Sequence, residues 1–340
     1  MAGGALNAVP FSGSPRCFER REEKYELDTV SAAELQAEIS RHLPLFAYRK
    51  GQSCTYVTTI YFDTRNRDFY RRAEQSYDDN VKIRVKEYYY AVSPEAVGGA
   101  SSASGADAGS NAAHREAGGA SAGHSWGGDP RRAAAGSPWN GHHVPGATGT
   151  PYEVLDHCFV ELKQRVHGMV VKKRFAFPKT DLELLFNGDD VWPTLEKVTP
   201  AADLASLKEI YRELRRYIAQ YPVEATSIVN YRRTVYQRDE NDLRVTFDDQ
   251  LAVFPPLPGL YTDREALTVE AMGKPIRTSE RVILEIKCPG DYPGWLRDAL
   301  RPHSCERLSK FTTSVRILLG SGGAGQAAQP RRAGGSGPRS

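Results

Sequence analysis

Ionisable side chains recur at every second position in five short stretches of this chain, with apolar or small residues often between them. The clearest is KIRVKEY at 82–88, where Lys82, Arg84 and Lys86 fall on one face and Ile83 and Val85 on the other. Side chains on a strand alternate faces with period two, so such a stretch predicts a strand with one charged wall and one apolar wall. The pattern returns in RREEKYEL (Arg20, Glu22, Lys24), FVELKQR (Glu161, Lys163, Arg165), LRVTFDD (Arg244, Thr246, Asp248) and ILEIKCP (Glu285, Lys287). For any single strand a charged wall is ordinarily a solvated face. Repeated over five strands, with many cations and few carboxylates, it suggests a barrel whose lumen is charged.

The remaining elements follow from the same reading. A strand is predicted around 19–27. A helix comes next, with Ser31 as N-cap, Glu34 completing a capping box, Leu35, Ile39 and Leu43 at helical spacing, and Pro44 closing it. TYVTTIYFDT (55–64) reads as a strand, NRDFYRRAEQS as a short helix, and 81–90 as the basic strand. FVELKQR and GMVVKKRFAFP form a hairpin turning at His167 and Gly168. A helix over 201–220 carries the stripe Leu204, Leu207, Ile210, Tyr211, Leu214, Tyr217 and Ile218, with Arg212, Arg215 and Arg216 mostly elsewhere. Three strands follow, ATSIVNYRRTVYQ, LRVTFDDQLAVF and RVILEIKCPG, the first two joined by the turn-like RDEND. A C-terminal helix is expected to run through WLRDAL towards SKFTTSVRILL. The expected class is α+β, an antiparallel β-barrel with flanking helices, since no βαβ rhythm marks a parallel sheet.

Composition divides the chain. Residues 91–150 are dominated by Gly, Ala and Ser without apolar periodicity, and read as a disordered insertion between neighbouring strands. His114, His124, His142 and His143 fall inside it and are read as compositional bias, not a metal tract. Residues 1–17 and 319–340 read as disordered ends, leaving one domain over 18–318. Although 26% of residues are charged, the net charge is only +3, too balanced for a general nucleic-acid binder or membrane-surface binder. The five cysteines lack C-x-x-C spacing and read as free thiols of a reducing compartment. The N-terminus shows no secretory signal and no apolar run approaches the ~20 residues that span a bilayer, so a cytoplasmic location is expected.

The charges themselves limit the chemistry. Lys24, Lys82, Arg84, Lys86, Lys163, Arg233, Arg244, Lys287 and Lys310 outnumber Glu22, Glu161, Asp248 and Glu285. Crowded unpaired cations lose hydration at several kcal/mol each unless an anion enters. Phosphates would supply that anion, Arg forking onto two oxygens and Lys acting as a point charge. The carboxylates would hold a hard divalent cation such as Mn²⁺ or Mg²⁺. No P-loop, dinucleotide-binding or protein-kinase motif is present. Phosphoryl transfer by positioning and charge stabilisation remains open to this residue set.

Taken in order, RREEKYEL, TTIYFDT, KIRVKEY, FVELKQR with VVKKR, NYRRTVY, LRVTFDD, VILEIKCPG and SKF resemble the VTC domain. That is the polyphosphate polymerase domain of the vacuolar transporter chaperone complex, within the triphosphate tunnel metalloenzymes. The resemblance covers about 18–90 and 157–316. It implies transfer of the ATP γ-phosphate onto polyphosphate in a basic tunnel, with ADP released and a divalent metal, commonly manganese. It also implies that Lys24, Arg84, Lys86 and Lys310 act on the phosphates. Lys82, Lys163, Arg174, Arg233, Arg244, Lys287 and Arg307 would line the phosphate lane. Glu285 matches the family's metal-holding glutamate, with Glu22 and Glu161 as weaker candidates. Two departures stand out: Lys86 replaces a usual Arg, and Arg20 stands where the wider superfamily has a first glutamate. No SPX domain accompanies the motifs, so control by inositol pyrophosphates is not expected of this chain. The implied partners are ATP and polyphosphate, with no nucleic acid and no membrane insertion. A tunnel triphosphatase and a non-catalytic polyphosphate-binding module are the alternatives.

Overall fold

The computed structural model describes residues 16–17, 21–47, 53–76, 78–91, 152–166, 169–238, 243–262, 264 and 266–322. Of the insertion expected over 91–150 only Ala91 is described, at the end of a strand; the rest of it, most of both ends, and residues 167–168 and 239–242 lie outside the described residues. The strands are β1 (Arg16–Cys17), β2 (Arg21–Leu27), β3 (Cys54–Thr64), β4 (Asn80–Ala91), β5 (Tyr152–Val154), β6 (His157–Val166), β7 (Met169–Pro178), β8 (Val223–Gln237), β9 (Arg244–Phe254), β10 (Arg277–Ser279) and β11 (Val282–Cys288). They form one antiparallel sheet in the order β1-β7-β6-β4-β3-β8-β9-β11-β2, with β5 on β4 and β10 on β9.

The hydrogen-bonded ladder does not close, which corrects the barrel expected from the sequence. Its outer strands, β1 and β2, do not pair with each other among the described residues. They are nevertheless consecutive in the chain, Cys17 and Arg21 being separated by three residues, a stretch that reaches at most about 14 Å. The sheet must therefore curl strongly. Lys163 of β6 comes within 3.6 Å of Glu22 of β2, although five strands lie between them in the ladder.

Alternation decides what the curl encloses. Ile83, Val85, Val160, Leu162, Phe175 and Phe177 point outwards and are buried with Leu207, Ile210, Tyr211, Leu214 and Ile218 of the helix Leu204–Gln220. Leu27, Val245, Phe247, Leu284 and Ile286 are buried beneath the helices Thr29–His42 and Gly294–Leu300 in a second cluster. Helices thus cover the convex face, and the charged wall is left to line the concave one. The helix Lys310–Gly322 packs into that concave side: Phe311 lies 5.2 Å from Tyr61 and Ser314 Oγ 2.8 Å from Ser227 Oγ.

Local chemistry fixes several boundaries. The first helix is capped by Asp28, which accepts the Ser31 amide at 2.8 Å. Ser31 was the expected N-cap, but Asp28 lies three residues upstream and can serve equally well, so the helix starts earlier. The single C-terminal helix expected through WLRDAL and SKF is instead two, Gly294–Leu300 and Lys310–Gly322, with Pro302 in the break. Arg16 and Cys17, inside the stretch read as disordered, pair with β7. A buried pin holds the loop before the short helix Val269–Met272. Glu87 binds Lys179 at 2.7 Å and accepts from Tyr261 and the Leu267 amide, both at 3.0 Å.

Candidate active site

Cross-strand register places the concave charges in rows. Lys82 faces Lys163 across β4 and β6, and Lys163 faces Lys172 across β6 and β7. Arg84 lies opposite Glu161 and Tyr61, Glu161 opposite Arg174, and Lys86 opposite Phe159 and Thr59. On the other wall Arg233 faces Asp248, Glu285 faces Lys24 and Thr246, and Lys287 faces Glu22 and Arg244. Like charges directly opposite each other destabilise a sheet. The column Lys82, Lys163, Lys172 is only partly compensated, by Glu22 at 3.6 Å from Lys163 and Glu161 at 3.1 Å from Lys172, and a further anion would relieve the rest.

Four carboxylates lying among these cations in the described residues fall into two kinds. Glu161 and Asp248 are fully buried and bind arginine. Glu161 Oε2 accepts from Arg84 Nε at 2.7 Å and Nη2 at 2.6 Å, while Lys172 and Arg174 lie 3.1 and 3.6 Å from Oε1. Asp248 accepts Arg233 through both oxygens at 2.6 and 2.7 Å, and Lys310 at 2.5 Å. Burial pushes both acids up, but the adjoining cations outweigh it, holding Glu161 well below the carboxylate range and Asp248 at about 2.

Glu22 and Glu285 are the second kind. They keep slight exposure, and among the described residues their ion pairs are with lysines: Glu22 lies 3.3 Å from Lys24 and 3.6 Å from Lys163, and Glu285 lies 2.6 Å from Lys287. Their positions are diagonal across the β2–β11 ladder. Burial and the charge of Glu285 both push Glu22 up, yet Lys163, Lys287 and Lys24 bring it below its ordinary value. Among the described residues no group of three or more acids, histidines or cysteines is placed to cage a metal. A pair of carboxylates free of arginine suits Mg²⁺ or Mn²⁺, which are usually held by one or two carboxylates with phosphate oxygens completing the shell.

A cavity of about 290 Å³ opens at one end, lined by Glu22, Lys24, Lys82, Lys163, Arg307 and Ser309 among others. Lys82 donates to Ser309 Oγ at 3.0 Å and Lys24 to the Leu308 carbonyl at 3.3 Å. Arg307 is exposed at this mouth, and Arg244 lies at the start of β9 beside Lys287. The candidate residues of β2, β4, β6, β7, β8, β9 and β11, with Lys310, thus share the concave face, and Arg307 lies at its rim. Sequence reasoning passed over Lys172, and it counted Asp248 only among the carboxylates of the charged wall, without its partners Arg233 and Lys310. Period-two counting back from Arg174 in VVKKR would have found the lysine.

Burial, then the repulsion of Lys163, Lys24 and Arg84, lowers Lys82 to about 7. Burial also lowers Lys163 to about 8, despite Glu22. In the unfolded chain both are ordinary lysines, so their contribution to stability increases as pH rises from about 7 towards 10.5. An entering polyanion restores the protons. Binding of tripolyphosphate at pH 8.5 is expected to take up on the order of one to two protons, and affinity should fall as pH climbs through 7 to 9. Calorimetry in two buffers of different ionisation enthalpy measures this uptake, and its absence would show that these lysines do not meet the ligand.

An open, curled antiparallel sheet with helices outside and a cationic concave face defines the class of this molecule. The VTC domain model matches residues 19–97 and 148–319, and the chain belongs to that family. No curated protein matches the chain. The chain is distantly similar to solved structures that include an adenylyl cyclase homologue from Hippeastrum described as having a dominant triphosphatase activity. It is 14% identical at TM-score 0.36, covering 86% of this chain and 93% of that one. An adenylate cyclase homologue from Bacillus halodurans is 8% identical at TM-score 0.33, covering 92% and 93%. A Pyrococcus horikoshii OT3 protein is 10% identical at TM-score 0.33, covering 88% and 99%. Likenesses at this level carry no weight for function. No helix among the described residues is long and apolar enough to cross a membrane.

Proposed function

We propose that the curled sheet works as a tunnel in which a polyphosphate chain is extended by the γ-phosphate of ATP, with ADP released. The observation that carries this reading is the lysine column of β4, β6 and β7, whose repulsion a linear phosphate chain relieves along its length. Phosphoryl transfer passes through a loose transition state with charge spread over the equatorial oxygens, so fixed cations around it do most of the catalysis. Arg84 and Arg233, each oriented by a buried carboxylate, offer guanidinium groups to those oxygens. Lys86 and Lys310 add point charges, and Lys24, Lys82, Lys163, Arg174, Arg244, Lys287 and Arg307 steady the rest of the chain. Glu285 and Glu22 would hold a divalent cation, Mn²⁺ or Mg²⁺, which would supply charge neutralisation to the phosphates. Glu161, enclosed by Arg84, Lys172 and Arg174, orients arginine and leaves the metal to the other pair.

Purified protein with ATP and Mn²⁺, with and without a short polyphosphate primer, is expected to yield a ladder of long chains and matching ADP on a gel. Free phosphate without chains would replace this reading with a tunnel triphosphatase. Tight polyphosphate binding without turnover would replace it with a binding module.

A further inference from the structure

Among the described residues, Asp248 is the carboxylate of the concave face that ties a strand cation to a helix cation. Its two oxygens take the Nε and Nη2 of Arg233 on β8, and Oδ2 also takes Lys310, the first residue of the C-terminal helix. The two cations share a second support, since Arg233 and Lys310 lie 5.2 and 4.7 Å from the centre of the buried Tyr231 ring. Neither makes another ion pair among the described residues, so the Nη1 edge of the guanidinium and the remaining ammonium hydrogens are uncommitted. Phe311 and Ser314 hold the same helix against Tyr61 and Ser227, which fixes Lys310 from its own side. The result is a rigid fork of two positive groups from separate elements, joined behind by one acid that is itself closed to solvent.

We infer that Asp248 is a positioning residue for phosphoryl transfer, holding Arg233 and Lys310 together so that both meet the same phosphoryl group. The inference rests on the phosphate-handling reading above and goes beyond it by locating the transfer point. Bound phosphates away from this point need only charge. The migrating group needs donors at fixed separation, because small misplacement of a catalytic group costs rate far more than affinity. The acid remains in place throughout: it is too deep to leave, and its bonds point the free donor edges away from itself.

Asp248→Asn separates the two roles. The variant loses an anion but keeps both cations, so metal-free affinity for tripolyphosphate is expected to stay equal or tighten severalfold. Its kcat is expected to fall about 100-fold, the scale reached when a positioned donor is lost. Adding Lys310→Gln should not lower kcat much further than Lys310→Gln alone, because residues acting as one unit are non-additive. If Asp248→Asn does not fold, Asp248→Glu keeps the charge, displaces the fork, and is expected to show the same loss of kcat at wild-type affinity. Affinity falling in parallel with kcat, or full additivity with Lys310→Gln, would make Asp248 merely structural and overturn the inference. Wild-type kcat in either Asp248 variant would overturn it too. A wild-type protein that hydrolyses tripolyphosphate without making chains would overturn the polymerase reading alone, since kcat for hydrolysis then gives the same test. A wild type that turns over neither ATP nor tripolyphosphate would remove both.

Discussion

Replacement of Arg84 by alanine is expected to cost the protein both phosphate affinity and stability. Arg84 places Nε and Nη2 on a single oxygen of Glu161, which has no exposed surface. Without it, Glu161 keeps only Lys172 at 3.1 Å and Arg174 at 3.6 Å, both at the more open β7 side. Removing one member of a buried ion pair costs about 3–5 kcal/mol. The lost charge-assisted bonds to phosphate are each worth about 1.5–3 kcal/mol, so tripolyphosphate should bind roughly 10- to 100-fold more weakly. Denaturant unfolding and metal-free calorimetry measure the two losses separately. Arg84→Ala combined with Glu161→Gln removes the stranded charge, and should recover much of the stability but little of the affinity. Wild-type affinity in that double variant would show that Arg84 serves only to neutralise Glu161.

Glu285→Gln is expected to have the opposite profile. Burial pushes Glu285 up, but Lys287, Lys24, Arg233 and Lys163 hold it well below the carboxylate range, so it is ionised at any working pH. The amide keeps the shape and loses the charge, and Gln is a poor ligand for a hard divalent cation. Charge stabilisation by a metal is worth several kcal/mol in a transition state; at about 1.4 kcal/mol per decade, metal-dependent turnover should drop at least ~100-fold. Lys287 is meanwhile released to phosphate, so metal-free tripolyphosphate should bind as well as before or better. Full metal-dependent activity in Glu285→Gln would contradict the metal assignment.

Much of this arrangement was legible wherever alternation was clean. In KIRVKEY the period of two alone put Lys82, Arg84 and Lys86 on one face and sent Ile83 and Val85 to the core. It blurred where charges run consecutively. Lys172, Lys173 and Arg174 are three cations in a row, yet only Lys173 turns outwards, to Glu213 on the covering helix. The tandem Arg232-Arg233 and Asp248-Asp249 sort the same way: one pair bonds on the outer face at 2.6 and 2.9 Å and the other inside. A register shift between Asn230 and Arg232 sets that sorting, and no local residue pattern announces it. The partner of Lys310 was invisible for a different reason. Asp248 lies 62 positions away, and nothing in SKF specifies where its helix will dock. Closure was overestimated because alternation fixes which face is charged and says nothing about whether the outermost strands pair.

The measurement that tests the central claim most directly is metal-free affinity for a long linear polyphosphate in two paired variants. One is Lys82→Gln with Lys163→Gln, inside the curl; the other is Arg212→Gln with Arg216→Gln, on the exposed side of the helix Leu204–Gln220. At roughly pH 6, below the lowered values of Lys82 and Lys163, both remove two positive charges. Loss confined to the inner pair is the expected result and places the phosphate chain within the sheet. Equal loss in both, or loss in the outer pair alone, would mean that the chain binds the surface and that the concave charges serve some other purpose.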